Sequence, residues 1–366
     1  MRLLVFAHTP PPVHGQSVMV ATLVDGLRGD PDIEVLHVNP RVSRDAADVG
    51  RARVGKLFPL VRAVFAAWLL RAHHGRAAFY YVPAPGGQRG SLYRDFIVML
   101  LCRPFFSALV LHWHASGLGE WLATRATPPE RWLARGLLGR ADVSLVLAPA
   151  LSSDARTLRS RRVSVVANCV ADPGEPPPRP TGAPGAVCEV LFLGLCTRDK
   201  GLFATLDAVA LAHRRGPGGF RLTVAGSFAS AIEHEEFQAR LASLPADLIR
   251  YVGFADAARK HALFSTADVF CFPTAYPHEG QPLVLMEAMA CDVPIVTTRW
   301  RAIPDMLPDK HAWFVEHGSP EQIATALLAA SQSPRPNGAL RRHYLAHFTP
   351  AQHLATLKSA LLSARN

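Results

Sequence analysis

Short apolar runs recur along this chain at wide spacing, and most are continuous rather than alternating. In the first half they are Leu3–Ala7, Ile33–Val38, Ala78–Val82, Ala108–Trp113, Val143–Ala148 and Val163–Ala167. In the second half they are Val190–Leu193, Phe220–Ala225, Ile249–Gly253, Val269–Pro273, Pro294–Thr298 and Ala312–Val315. An uninterrupted run rich in β-branched residues suits a parallel strand covered by helices on both faces, whereas a half-exposed strand would alternate. Between the runs the apolar period lengthens to that of a helix, as in Val18–Leu27, Leu202–Arg214, Ala257–Ser265 and Glu321–Ala330. This alternation predicts an α/β protein built from two Rossmann-like, doubly wound parallel-sheet domains.

Composition marks the boundary between them. From Asp172 to Gly185, nine of fourteen residues are proline or glycine. Such a segment continues neither a helix nor a central strand, and it reads as a stiff, extended linker. The expected division is a first domain over 1–172, a linker over 173–185 and a second domain over 186–350. A last helical stretch follows Phe348-Thr349-Pro350 and is expected, within 351–366, to pack back on the first domain.

The totals agree with two domains. The chain has 366 residues, 49% of them apolar and 19% charged, which is enough for two cores and unlike a disordered chain. Six scattered cysteines, with no C-x-x-C pair, read as buried free thiols in a reducing compartment. Leu3–Ala7 is too short for a secretory signal, and Phe96–Trp113 is broken by Arg103-Pro104, so a cytoplasmic or membrane-peripheral protein is expected. The net charge of +10 is lopsided: residues 1–172 hold 21 Lys+Arg against 12 Asp+Glu, and the remainder 18 against 17. A basic first half fits an anionic lipid or a phosphorylated substrate; with no zinc-finger spacing, RNA-binding motif or basic-region helix, nucleic acid is not an expected partner.

The sharpest chemical signal is EGQPLVLMEAMA, residues 279–290, which follows the run DVFCFP. Pro282 suits the first position of a helix, and Leu283 onward are strong helix formers. Free backbone N–H groups around Gly280, Gln281, Pro282, Leu283 and Val284 would then meet an anionic phosphate at the positive end of the helix dipole. Glu287 lies five residues beyond Pro282, roughly 7.5 Å along the axis, about the offset from a diphosphate to the ribose of one nucleotide. Glu279 would face the sugar end. The plainer alternative is a dipole-complementing acid followed by a solvated helix glutamate. No Asp-x-Asp follows a strand, no cluster has metal-ligand spacing, and neither a Walker A nor a G-x-G-x-x-G follows the first strand. No metal or cofactor is therefore expected, and kinases and dinucleotide oxidoreductases fit poorly.

The stretch AYPHEGQPLVLMEAMACDVPIVTT closely resembles the E-x7-E signature of retaining family 4 glycosyltransferases, with ADVFCFPT before it and RWRAIPDML after it. VLFLGLCTRDKGL resembles the family's Gly-Arg-…-Lys-Gly element, VVANCV its Ile-Pro-Asn-Gly-Val segment, PPPVHGQS its first glycine loop and LHWHASG its histidine loop. The resemblance spans essentially the whole chain and is most specific in the second half. It implies the GT-B fold, two Rossmann-like domains facing across a cleft, and transfer of a sugar from a UDP or GDP donor to a glycan or lipid-linked glycan acceptor, as in bacterial exopolysaccharide or lipopolysaccharide assembly. The donor would lie mainly on the second domain and the acceptor on the first, with retention by front-face substitution. A nucleotide-sugar 2-epimerase of the same fold and a non-catalytic nucleotide-sugar-binding protein are the alternatives.

Carried over position by position, Lys200 would neutralise the donor diphosphate in place of a metal ion. Leu195 stands where the family often has arginine; the nearby Arg198 could substitute, or could form only an exposed turn ion pair with Asp199. Gly15 would let a loop backbone approach a phosphate, and His114 would contact the donor sugar near the reaction centre. His112, inside its strand, reads as structural. Gly253 and Phe254 end a strand where family members hold the nucleobase. Finally, Arg51–Arg76 mixes five arginines and a lysine with Leu, Val, Phe and Trp. It reads either as a basic amphipathic helix for an anionic membrane surface or as a core helix with snorkelling arginines.

Overall fold

The computed structural model of the chain describes residues 1–40, 57–176, 186–216, 218–334 and 336–363. The chain divides into two units, Met1–Cys169 with His278–Gln281 and Pro350–Asn366, and Val170–Pro277 with Pro282–Thr349. Part of the expected linker, 177–185, and the start of the basic region, Arg51–Lys56, lie outside the described residues.

The first unit contains β1 (Arg2–Phe6), α1 (Gly15–Gly26), β2 (Glu34–Val38), α2 (Leu57–His74), β3 (Ala78–Tyr81) and α3 (Arg89–Cys102). It continues with β4 (Leu109–Trp113), α4 (Leu118–Thr124), α5 (Pro128–Leu137), β5 (Val143–Val146), α6 (Ser153–Thr157) and β6 (Val163–Val165). Its six strands are all parallel, in the order β2-β1-β3-β4-β5-β6. The continuous apolar runs bury alternate residues on opposite faces. Leu3 and Val5 join Val20 and Leu23 of α1 in one layer; Leu4 and Phe6 join Val64 of α2 and Met99 of α3 in the other.

The second unit contains β7 (Cys188–Leu193), α7 (Leu202–Arg215), β8 (Phe220–Ala225), α8 (Ala231–Ala242), β9 (Ile249–Tyr251), α9 (Ala257–Thr266) and β10 (Val269–Phe272). Then follow α10 (Leu283–Ala290), β11 (Ile295–Thr298), α11 (Ile303–Met306), β12 (Ala312–Val315), α12 (Pro320–Gln332) and α13 (Ala339–His347). The sheet is again parallel, in the order β12-β11-β10-β7-β8-β9. Two Rossmann-like α/β domains are thus present, and each of the twelve apolar runs overlaps one strand. The last helix, α14 (Pro350–Leu362), belongs to the first unit, where Leu357 and Leu361 join the layer of Leu3 and Val5.

Two local features differ from expectation. Pro282 is the N-cap of α10, with φ −64° and ψ 118°, so the helix starts one residue later, at Leu283. His278–Gln281 also packs with the first unit rather than the second. All six cysteines are buried and form no disulfide, and burial pushes the thiols of Cys102, Cys169, Cys196 and Cys271 up to about 12. No helix among the described residues is long and apolar enough to cross a membrane.

Candidate functional site

In open α/β sheets ligands bind beyond the carboxyl ends of the strands, where the strand order reverses direction. In the second unit that point lies between β7 and β10, because β8 and β9 extend one way and β11 and β12 the other. The loop after β7 carries Lys200 and Gly201; the loop after β10 runs through Pro273 and Tyr276 toward α10. These loops are locked together. Ala275 N–H donates to the Asp199 carbonyl at 2.8 Å. Gly201, at φ +85°, lies so close to Pro273 that a Cβ would stand 2.5 Å from its carbonyl oxygen. Only glycine fits both the left-handed backbone and the contact.

Lys200 is half-buried, and its Nζ lies 4.6 Å from the Tyr276 ring centroid and 5.4 Å from that of Phe272. Aromatic faces stabilise an ammonium without neutralising it. Leu283 and Val284 form the first turn of α10, whose N-terminus has no side-chain cap. Glu287, one face further along, is in an ion pair with Lys260 at 2.9 Å. Gly253, at φ +70°, accepts from Gly226 N–H through its carbonyl, and Phe254 after it is exposed. The Arg198 guanidinium, by contrast, grips both carboxylate oxygens of Glu236 at 2.6 and 2.7 Å and covers the Phe203 ring. Arg198 thus forms an exposed ion pair, with Glu236 of α8 rather than with the adjacent Asp199.

The first unit assembles a different set. Glu279 is 7% exposed, and its carbonyl faces the Ser116 hydroxyl. A Cβ on Gly280 would stand 2.4 Å from the His114 carbonyl oxygen, so this backbone lies directly on the histidine loop. Gln281 is taken up by Asn168: its Oε1 accepts from Asn168 N–H at 2.9 Å, and its carbonyl from Asn168 Nδ2 at 3.1 Å. These contacts explain why the segment leaves the second unit. Glu279 and His114, read separately from the sequence, are brought together here. Gly15 is the first, exposed residue of α1, behind its His14 cap.

Both ring nitrogens of His114 are buried without an aligned hydrogen-bond partner, and so is Asn168 Oδ1. Burial, aided by the neighbouring His353, pushes the His114 imidazole down to about 3, with Asn168 opposing weakly. His114 is therefore neutral at pH 7, able to donate from one nitrogen and accept at the other. Orphaned buried polar atoms are uncommon and mark places where a ligand completes the bonding. The His112 ring stands 4.0 Å from that of His114, centroid to centroid, and its Nδ1 meets the Tyr80 hydroxyl at 2.6 Å. His353, from α14, bonds the Ala167 carbonyl through Nδ1 at 2.6 Å. His8 and His14 pair through their Nε2 atoms at 2.6 Å beside a cavity of about 130 Å³, at the β1/β3 reversal of this sheet.

Asn168, His353 and Tyr276 were not singled out from the sequence. VVANCV carried a signal for Asn168. Nothing signalled His353, which meets its neighbours only through the return of α14. Among the described residues no group of three or more His, Cys, Asp or Glu side chains is arranged to hold a metal ion.

Residues 188–333 match the family described as glycosyl transferases group 1. WcaL of Escherichia coli K12, named as a colanic acid biosynthesis glycosyltransferase, is 30% identical over 166 residues, 42% of this chain and 39% of that protein. The chain thus spans about two fifths of the length of that curated relative. Among solved structures, sucrose-phosphate synthase from Thermosynechococcus elongatus superposes with a TM-score of 0.71 at 18% identity, covering 100% of both chains. HepE from Anabaena, solved in complex with UDP-glucose, gives 0.70 at 14% identity, covering 99% of this chain and 100% of that one. At such identities the likeness is one of fold. Within that fold, residues 188–333 are similar to the glycosyl transferases group 1 family.

Proposed function

We propose that the chain is a retaining glycosyltransferase that moves a sugar from a nucleoside diphosphate donor to a glycan or lipid-linked glycan in bacterial cell-envelope polysaccharide assembly. The observation that carries the reading is the Lys200–Gly201 loop locked against Pro273 at the strand-order reversal of the second unit. An ammonium held on aromatic faces there, with the uncapped start of α10 downstream, suits a diphosphate leaving group. The relatives support the substrate class: one is named for colanic acid biosynthesis, and one fold neighbour holds UDP-glucose.

In this mechanism Lys200 and the first turn of α10 stabilise the charge that grows on the diphosphate as the glycosidic bond lengthens. Glu287 accepts from the ribose hydroxyls after exchanging its bond with Lys260. Gly253 and Phe254 border the nucleobase. His114, as a neutral ring, and Glu279 hydrogen-bond the transferring sugar. The acceptor hydroxyl attacks on the face the diphosphate leaves and passes its proton to a departing phosphate oxygen. No metal ion is required.

The test is transfer and donor hydrolysis by Lys200→Ala and Glu279→Ala, with EDTA present. Removing one preorganised charge-stabilising group from a closed site costs about 10²–10³ in kcat. Wild-type rates in both variants, or abolition of activity by EDTA, would refute the assignment. NMR of donor incubated alone must show the sugar configuration unchanged; inversion at C2 would make the protein an epimerase.

A further inference from the structure

The basic region was read as an amphipathic helix with either a membrane or a core role, and α2 fits neither description fully. One side, with Leu60, Ala63, Val64 and Ala67, is buried in the core. The opposite side is also apolar: Phe58, Val61, Phe65, Trp68 and Leu69 all face solvent, Phe58 at 77% exposure. Helix α3 repeats the pattern, burying Leu92, Phe96 and Met99 while exposing Tyr93, Ile97 and Leu100. Phe105, in the turn after α3, and Trp132 of α5 are exposed as well, Trp132 at 74%.

These faces are joined. The Trp68 indole N–H donates to the Leu101 carbonyl at 2.8 Å, and its ring meets Phe105 edge-on at 5.6 Å. Arg71 donates to the Phe105 carbonyl, Arg103 to the carbonyls of Gly136 and Leu137 at the end of α5, and Tyr93 to Glu130 of α5. A soluble monomer rarely exposes so large a contiguous apolar face, and such a face marks an interaction surface. Its charges identify the partner. Residues 57–74, 89–105 and 128–140 hold eight arginines (62, 71, 89, 94, 103, 131, 135, 140) and two acids, Asp95 and Glu130; Arg94 lines the cavity beside His8, which leaves seven arginines outside it. Both acids are already bonded to arginine, Asp95 by Arg94 and Glu130 by Arg89.

We propose that the outer face of α2, α3, the turn at Phe105 and α5 is a monotopic docking surface for an anionic lipid bilayer. Aromatic and aliphatic side chains enter the acyl boundary, and the arginines among them meet lipid phosphates. The surface belongs to the first unit alone and does not rest on the sugar-transfer reading. Its consequence for that reading is an acceptor met at the membrane.

The experiment is co-sedimentation of the full chain with vesicles of phosphatidylcholine, with and without phosphatidylglycerol. Each basic side chain at an anionic surface is worth about fivefold in partitioning, so two or three engaged arginines predict at least a tenfold preference, in order of magnitude, for the anionic vesicles. Phe58→Ser, Leu100→Ser and Trp132→Ser combined should lower binding by about a hundredfold while leaving the melting point unchanged, because these side chains lie outside the core. Arg62→Gln with Arg135→Gln should erase the preference for phosphatidylglycerol. Independently of any variant, tryptophan emission of the wild-type chain should shift to the blue on anionic vesicles. Equal binding to both vesicle types, or no binding and no shift, would overturn the proposal. So would a lipid-free dimer that the triple variant dissociates, which would make the partner a second copy.

Discussion

Gly280→Ala probes the contact between Glu279-Gly280 and the histidine loop within the first unit. The added Cβ would stand 2.4 Å from the His114 carbonyl oxygen and 3.0 Å from Leu147 Cδ1. Ordinary contact needs about 3.5 Å, so the two segments must separate by roughly 1 Å. The close atom belongs to the backbone of a loop packed on buried strands, so rotating a side chain gives no relief. Overpacking of this kind costs about 1–3 kcal/mol, which in a unit of this size lowers the melting point by about 4–8 °C for a 2 kcal/mol change. The larger effect should be on chemistry. Glu279 directly precedes the substituted residue, and a displacement of about 1 Å at a reacting centre costs about 10²-fold. Steady-state transfer should therefore show kcat/KM about a hundredfold down, while nucleotide still raises the melting point through the second unit. Gly136→Ala, at an exposed helix position with nothing within 4 Å, is the control and should leave both quantities unchanged or slightly improved. Wild-type kcat/KM in Gly280→Ala would refute the contact as described.

Three further outcomes are expected. Gly201→Ala should weaken donor binding at least tenfold in isothermal calorimetry, because a left-handed backbone costs about 1–2 kcal/mol before the clash with Pro273 is added; unchanged affinity would show that the loop does not hold the diphosphate. Arg198→Ala should change donor affinity less than about threefold and stability by less than about 1 kcal/mol, as an exposed ion pair does; a large loss of donor affinity would return Arg198 to the site. Stability should fall below pH 6.5, since burial pushes His14 down to about 4 and His114 to about 3 while the unfolded chain takes up protons at the ordinary histidine pKa. Above pH 6.5 both states are neutral and nothing is lost; at pH 5 each ring costs about 2 kcal/mol, and equal urea midpoints at pH 7.5 and 5 would contradict its neutral burial.

The strands were legible because covering a parallel sheet on both faces removes any polar alternation: Leu3 and Leu4 enter different core layers, yet both must be apolar. The second-unit loops were legible because Lys200-Gly201 and Glu279–Glu287 are local patterns. What the sequence concealed depends on distant partners. Gln281 turns its amide to Asn168 and Arg198 its guanidinium to Glu236, and neither choice has a local signature. The outward side of α2 was concealed for another reason. A helix apolar on two opposite sides, Val64 inward and Phe65 outward, reads in one dimension either as a basic amphipathic helix for a membrane surface or as a core helix with arginines at its edges.

The placement of α14 constrains how the protein is made. Leu357 and Leu361 complete one layer of the first unit, and Lys358 is held by Asp30 and Asp32. Every strand of the second unit therefore leaves the ribosome before the first unit receives its closing helix. At about 5–20 residues per second the delay is about 10–40 s, during which Val20 and Leu23 have no leucines from α14 to cover them. The domain that starts folding first is the last to be sealed, and until then its open flank is a surface for chaperones to guard.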